Sequence, residues 1–244
     1  MSLTLTNFRA VAMPQTEALH VGADGKLLTA PVPGARIIDC GDAWLSPGWC
    51  DLHVHVWHGG TDISVRASEA GRGTGVTAMA DAGSAGEANF HGLREYVIEP
   101  SAETIRAFLN IGSIGLVACN LGSELIDSRS IDVDRTLAVI EANRDVICGI
   151  KVRASGVIVG AWGIAPAKIA KRIAEITGLP LMVHVGEPSP LIDEVFDILT
   201  PGDIVTHCFN GKKAGSIRDT AALFEQARQL ADQGVRMDIG HGQA

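Results

Sequence analysis

Two histidines separated by one residue are the first sign of chemistry in this sequence. His53 and His55 stand in the run 51–55 (DLHVH), among apolar residues typical of a β-strand. Because alternate residues of a strand point to the same face, the two imidazoles should project together. Neighbouring imidazoles disfavour each other's protonation and are well suited to bind a divalent metal. The pair therefore indicates a metal site, although a purely structural role is open for such a pair taken alone.

Three further residues take comparable places in later apolar runs. His184 and His207 each end a short run, and Lys151 lies inside another. Burial depresses the pKa of a lysine, and a neutral amine can react with CO2 to give a carbamate that bridges two cations. An ion-paired lysine and a Schiff-base lysine, as in barrel aldolases, are the alternatives. Four histidines and one lysine at one end of successive strands favour a metal centre.

The elements that would position these residues follow a regular rhythm. From Ser46 onward, apolar runs alternate with helical patterns, as in successive βα units. Near-continuous apolar strands are typical of a parallel sheet that is covered on both faces. We therefore predict an α/β fold, a TIM-type (β/α)8 barrel that is incomplete, with about seven βα units. The predicted strands are 48–55, 76–82, 108–117, 146–154, 181–186, 204–209 and 235–240.

Residues 1–46 differ from the rest and are predicted to form a small, partial β subdomain. Asp24-Gly25 between β-prone runs indicates a hairpin. The barrel is then assigned to residues 47–244. A complete eight-stranded barrel takes about 250 residues, so we expect its last strand and helix to lie beyond Ala244.

Composition narrows the class of protein. The chain has 244 residues, 46% of them hydrophobic, and a net charge of −8, which excludes global disorder. No cluster of lysine and arginine stands out, so we expect neither a nucleic-acid nor a membrane partner. The 5 cysteines form no C-x-x-C pair and the start resembles no secretory signal, so we predict a cytoplasmic protein. A small-molecule substrate is expected, and a homo-oligomer is left open.

Longer motifs around these residues make a specific resemblance. The order His-x-His, Lys, His, His along successive strands is similar to the binuclear amidohydrolases with a carboxylated lysine. The chain resembles their amidohydrolase/deacetylase branch, often labelled dihydroorotase-like. The motifs are 47–55 (PGWCDLHVH), 57–62 (WHGGTD), 81–92 (DAGSAGEANFHG), 149–155 (GIKVRAS), 183–188 (VHVGEP), 205–211 (VTHCFNG) and 238–242 (DIGHG).

This resemblance implies a metal-assisted hydrolase. His53 and His55 would hold one metal, His184 and His207 the other, and carboxylated Lys151 would bridge the two together with a hydroxide. The cofactors would be two divalent ions, with zinc expected and manganese or iron also suited, and CO2 for the lysine. The substrate would contain an amide, a cyclic amide or an acyl ester; some members cleave O-acetyl esters of 2-hydroxy acids.

Two more residues are candidates for substrate binding, and one expected residue is absent. Arg153 should share the strand face of Lys151 and could hold a substrate carboxylate, with a salt bridge as the alternative. His241 follows the seventh predicted strand at the same rim. The family carries an aspartate after the eighth strand, which we expect beyond Ala244. The alternative function is therefore a truncated remnant or fragment that binds metal without turnover.

Overall fold

The computed structural model describes residues 1–125 and 127–240, without the side chain of Ser128. The chain divides into two compact units, Met1–Trp49 and Cys50–Ala244. Among the described residues, none of the helices combines the length and the apolar character that a membrane span requires.

The first unit is a four-stranded mixed sheet with the order β3-β2-β1-β4. Strand β1 pairs antiparallel with β2 and parallel with β4, and β2 pairs antiparallel with β3. Gly25, at φ +80°, lies in the turn between β2 and β3, so the predicted hairpin is confirmed. The strands are β1 (Leu3–Ala10), β2 (Ala18–Val21), β3 (Leu27–Leu28) and β4 (Arg36–Leu45).

The second unit is built on a seven-stranded sheet whose spatial order follows the chain, from β5 to β11. The strand pairs from β6 to β11 are parallel. The strands are β5 (Trp49–Val54), β6 (Val76–Gly86), β7 (Thr104–Asn110), β8 (Ile147–Ala154), β9 (Leu181–Val185), β10 (Ile204–Thr206) and β11 (Arg236–Asp238). This curled parallel sheet confirms the predicted α/β fold of the TIM-barrel type with seven strands.

Helices lie between the strands, as expected for βα units. The α-helices are α1 (Ala67–Ala70), α2 (Phe90–Leu93), α3 (Val133–Ala142), α4 (Gly156–Val159), α5 (Ala165–Thr177), α6 (Ile192–Phe196) and α7 (Ala221–Asp232). Short 3-10 segments occur at Arg72–Thr74, Ser128–Ser130 and Gly160–Trp162, and a π-helical turn at Arg94–Ile98.

The third strand lies earlier in the chain than predicted. It was predicted at 108–117 but spans Thr104–Asn110, and the chain then turns, with Gly115 at φ +57°. Helix α7 is capped by Thr220, whose Oγ1 accepts from the backbone N–H of Leu223 at 3.1 Å.

Helix α5 shows how the core is closed against the sheet. Within this helix Ile173 is buried, whereas Ile176 is 59% exposed. The buried face is centred on Ala167, Ala170 and Ala174, next to Ile173. Small side chains on this face let the helix approach β8 and β9 closely, which fixes the strands that carry Lys151 and His184.

Candidate metal centre and substrate pocket

The register of the parallel sheet places polar side chains in one row. Arg153 of β8 is paired with His184 of β9, His184 with Thr206 of β10, and Thr206 with Asp238 of β11. Paired residues of neighbouring parallel strands face the same side of the sheet. This row lies at the carboxyl ends of the strands, where barrel enzymes build their sites.

A second row lies one layer deeper in the sheet. Lys151 pairs with Asn110 on one side and with Met182 on the other. Lys151 is only 2% exposed, and its Nζ donates to the thioether sulfur of Met182 at 3.3 Å. Sulfur is a weak acceptor, so this position is a poor one for an ammonium ion. Burial lowers the pKa of Lys151 to about 7.

The four predicted histidines form a continuous chain of rings. The ring centroids of His55 and His53 are 5.8 Å apart, those of His53 and His207 5.0 Å, and those of His207 and His184 4.6 Å. The structure therefore brings together the imidazoles that the sequence placed on β5, β9 and β10.

All four imidazoles are neutral near pH 7. Burial lowers the pKa of His53, His55 and His184, the latter two well below 6.5, and lowers that of His207 to about 4. The charge of Lys151 lowers each of these pKa values further. Neutral imidazoles present the lone pair that a metal needs.

A carboxylate fixes the orientation of His53. Asp238 Oδ2 accepts a hydrogen bond from His53 Nδ1 at 2.7 Å and another from Thr206 Oγ1 at 2.6 Å. Although burial alone would raise the pKa of Asp238, these hydrogen bonds lower it to about 2. Because Nδ1 is engaged with an acceptor, Nε2 of His53 carries the free lone pair.

His207 is held by the backbone. Its φ is +66°, in the left-handed region that non-glycine residues seldom adopt. Its Nδ1 donates to the carbonyl oxygen of Gly240. A Cβ on Gly240 would lie 2.8 Å from that same Nδ1, so glycine is required for this approach.

Glycine is also required beneath the lysine. Gly83 of β6 has φ +94°, and a Cβ there would lie 2.5 Å from Lys151 Cγ.

We expect Gly83→Ala to lower the free energy of unfolding by about 1–3 kcal/mol more than the strain of a left-handed alanine would lower it, because the core around Lys151 must shift. Gly202→Ala is the matched control, since Gly202 has φ +97° and open space around it. Urea denaturation of the two variants measures the difference; equal losses would contradict the steric role.

A cavity of about 470 Å³ opens beside His184. Arg153 and Lys212 line it, together with Asn120, Ser155 and Glu187. Both cations are paired with carboxylates, Arg153 with Glu124 and Lys212 with Glu187. Lys212 Nζ lies 2.6 Å from Glu187 Oε1, and Ser155 Oγ donates to Glu187 Oε2 at 2.6 Å. The cavity is thus polar on one wall and adjoins the row of histidines.

Arg153 faces this cavity as part of a buried ion pair. Its Nε and Nη2 donate to Glu124 at 2.7 and 2.5 Å, and Glu124 is only 1% exposed in its side chain. The salt bridge that was the alternative for Arg153 is therefore present. Because the pair uses Nε and Nη2, it does not occupy Nη1.

His241, the remaining predicted site residue, lies outside the described residues. Within the described residues, no three His, Cys, Asp or Glu side chains are already arranged as a closed metal-ligand set. Sequence reasoning assigned no role to Asp238 or Glu124; the place of Asp238 in the motif 238–242 (DIGHG) was the one available signal.

Comparison with known proteins adds the family. No family model matches the chain. A deacetylase of Brucella anthropi is 56% identical over 99% of the chain and 63% of its own length. A crystal structure of a dihydroorotase superposes with a TM-score of 0.93 at 53% identity, covering 99% of this chain and 66% of that one. An adenine deaminase structure gives a TM-score of 0.85 at 32% identity, over 98% of this chain and 66% of that one.

The chain spans less than two thirds of the relatives' length. It belongs to the amidohydrolase superfamily, in the dihydroorotase-like branch.

Proposed function

We propose that this chain carries the metal centre and the substrate pocket of a hydrolase that cleaves an amide, a cyclic amide or an acyl ester. The observation that carries the proposal is the continuous chain of four neutral imidazoles next to a buried lysine whose pKa is about 7. The name deacetylase, borne by the Brucella anthropi relative, supports an acetyl group as the part removed.

The donor set suits two divalent ions. His53 and His55 would hold one ion, and His184 and His207 the other. The poorly partnered amine of Lys151 fits a carboxylated form, which would add the anionic ligand that the imidazoles lack. Ions held by these residues would supply a water of lowered pKa, near 7, and would polarise a carbonyl group. Zinc suits imidazole and carboxylate ligands, as do manganese and iron.

The residues of the chain then supply orientation and substrate binding. Asp238 holds His53, and the Gly240 carbonyl holds His207. The cavity beside His184 would take the substrate. A substrate carboxylate would accept from Nη1 of Arg153, which the pair with Glu124 leaves available.

Turnover by the metal-reconstituted chain tests this proposal. We expect hydrolysis of at least one member of a panel of N-acetyl amino acids, O-acetyl 2-hydroxy acids and dihydroorotate, in the presence of zinc or manganese. His184→Ala and His207→Ala should abolish it. Stoichiometric metal binding without turnover on any substrate would favour the alternative, a chain that binds metal and does not catalyse.

The lysine also permits a second chemistry. A buried amine with a pKa near 7 is suited to form a Schiff base with a carbonyl compound. Borohydride in the presence of a ketone or aldehyde would then attach the carbonyl compound irreversibly to Lys151. Absence of that adduct, with metal bound, would support the hydrolase.

A further inference from the structure

The second histidine of the His-x-His pair has its own hydrogen-bond relay, distinct from that of His53. His55 Nδ1 lies 3.0 Å from Ser84 Oγ. Ser84 is fully buried in β6, and Asp81, three residues earlier in the same strand, is fully buried as well. No role followed from either residue in the sequence.

The direction of each hydrogen bond in this relay can be assigned. Asp81 Oδ2 accepts from the backbone N–H of Val56 at 2.9 Å, so this oxygen acts as an acceptor. Ser84 Oγ donates its single hydrogen to the same oxygen at 2.8 Å, as it must toward an ionised Asp81 carboxylate. The hydroxyl then has only lone pairs left for His55, so the hydrogen between Ser84 and His55 belongs to Nδ1.

The backbone holds the relay in place. Asp81 Oδ1 accepts from the backbone N–H of Ser84 at 2.7 Å, which closes a turn within β6. The pairing of β6 with β7 shifts register between Ala82 and Gly86, and Gly83 adopts φ +94°. This irregularity turns both Asp81 and Ser84 toward His55 and Val56 at the end of β5.

We propose that Asp81 and Ser84 are positioning residues, which fix His55 as the Nδ1–H tautomer and direct its Nε2 lone pair toward the metal centre. The tautomer depends only on the relay, whereas its use for metal binding rests on the function proposed above. Partners of this kind typically change metal affinity by about 10–100-fold.

Nitrogen-15 NMR of the metal-free full chain, labelled at histidine, tests the tautomer. The His55 signals are identified by their loss in His55→Gln. We expect the wild-type Nδ1 to be protonated and Nε2 to be unprotonated at pH 7. A protonated Nε2 in the wild type would overturn the proposal. This result does not depend on whether the relay variants fold.

Two variants test the cause. Ser84→Ala removes the acceptor, so the Nδ1–H tautomer should lose population. Asp81→Asn places an amide N–H₂ group in the relay, which can donate to Ser84 and release the serine hydrogen toward His55, so Nε2–H should increase. Ser101→Ala is the control, because Ser101 Oγ donates to the Val97 carbonyl and takes no part in the relay. Unchanged His55 signals in both relay variants would overturn the proposal.

Zinc affinity, measured by competition with a chromophoric chelator, separates the relay from the function. We expect affinity about 10–100-fold weaker in Ser84→Ala than in wild type and Ser101→Ala. If the tautomer changes as expected but the wild-type chain binds no zinc, the metal centre fails and the relay stands. If zinc binds equally to the wild type and Ser84→Ala, the positioning role toward the metal is refuted.

Discussion

Replacing Lys151 with alanine is expected to remove at least one metal ion per chain and to reduce turnover by more than about 100-fold. Loss of a residue that only orients a ligand already costs about 10–100-fold, and Lys151 is proposed as a ligand itself. Lys151 is buried beside Met182, whose thioether sulfur is a weak acceptor and cannot replace an anionic ligand. Elemental analysis of the purified variant gives the metal count, and the acyl substrate panel gives the activity.

The chemical form of the lysine can be tested separately. Carboxylation requires the neutral amine, so incorporation of carbon-13 bicarbonate should increase as pH rises through about 7, the pKa of Lys151. Short carboxylic acids should restore part of the activity of Lys151→Ala by supplying the missing oxygens. Lys168→Ala is the control, because Lys168 is exposed on α5. Retention of two metals by Lys151→Ala would refute the bridging role.

Local sequence patterns were sufficient to find the strands and the residues at their ends. A parallel strand buried on both faces gives an apolar run that is visible in isolation, and the polar residue that ends the run then falls at the edge of the sheet. His184 and His207 were placed in this way. The third strand was misplaced because the apolar run continues past Asn110, where the strand ends, into a turn that contains Ile111 and Leu116.

The partners of these residues could not be found from the sequence. Asp238 lies 185 positions from His53, and the contact exists only because the sheet curls. Glu124 lies in the irregular segment between β7 and α3, where no periodic pattern assigns a direction to a side chain. The register of neighbouring strands, which puts Arg153, His184 and Asp238 in one row, is likewise a property of pairing and not of any single run.

The ion pair between Arg153 and Glu124 should have the largest effect on stability. Glu124→Ala is expected to lower the free energy of unfolding by about 3–5 kcal/mol, because it leaves a largely buried guanidinium without its carboxylate. The double variant Glu124→Leu/Arg153→Met removes both charges and keeps similar volume, so most of that loss should be recovered. Urea denaturation measures both.

The same double variant separates stability from substrate recognition. If Nη1 of Arg153 binds a substrate carboxylate, the stable double variant should show a raised KM for acetylated acids, while the KM for their uncharged amide or ester counterparts should change little. Glu124→Gln offers an intermediate case, in which the guanidinium keeps an oxygen acceptor but not a full negative charge. A double variant that recovers stability and retains the wild-type KM for acidic substrates would assign Arg153 to the fold alone. A raised KM together with recovered stability would show that Arg153 contributes to substrate binding. Apolar groups can replace the buried pair in the fold, but they cannot bind an anion.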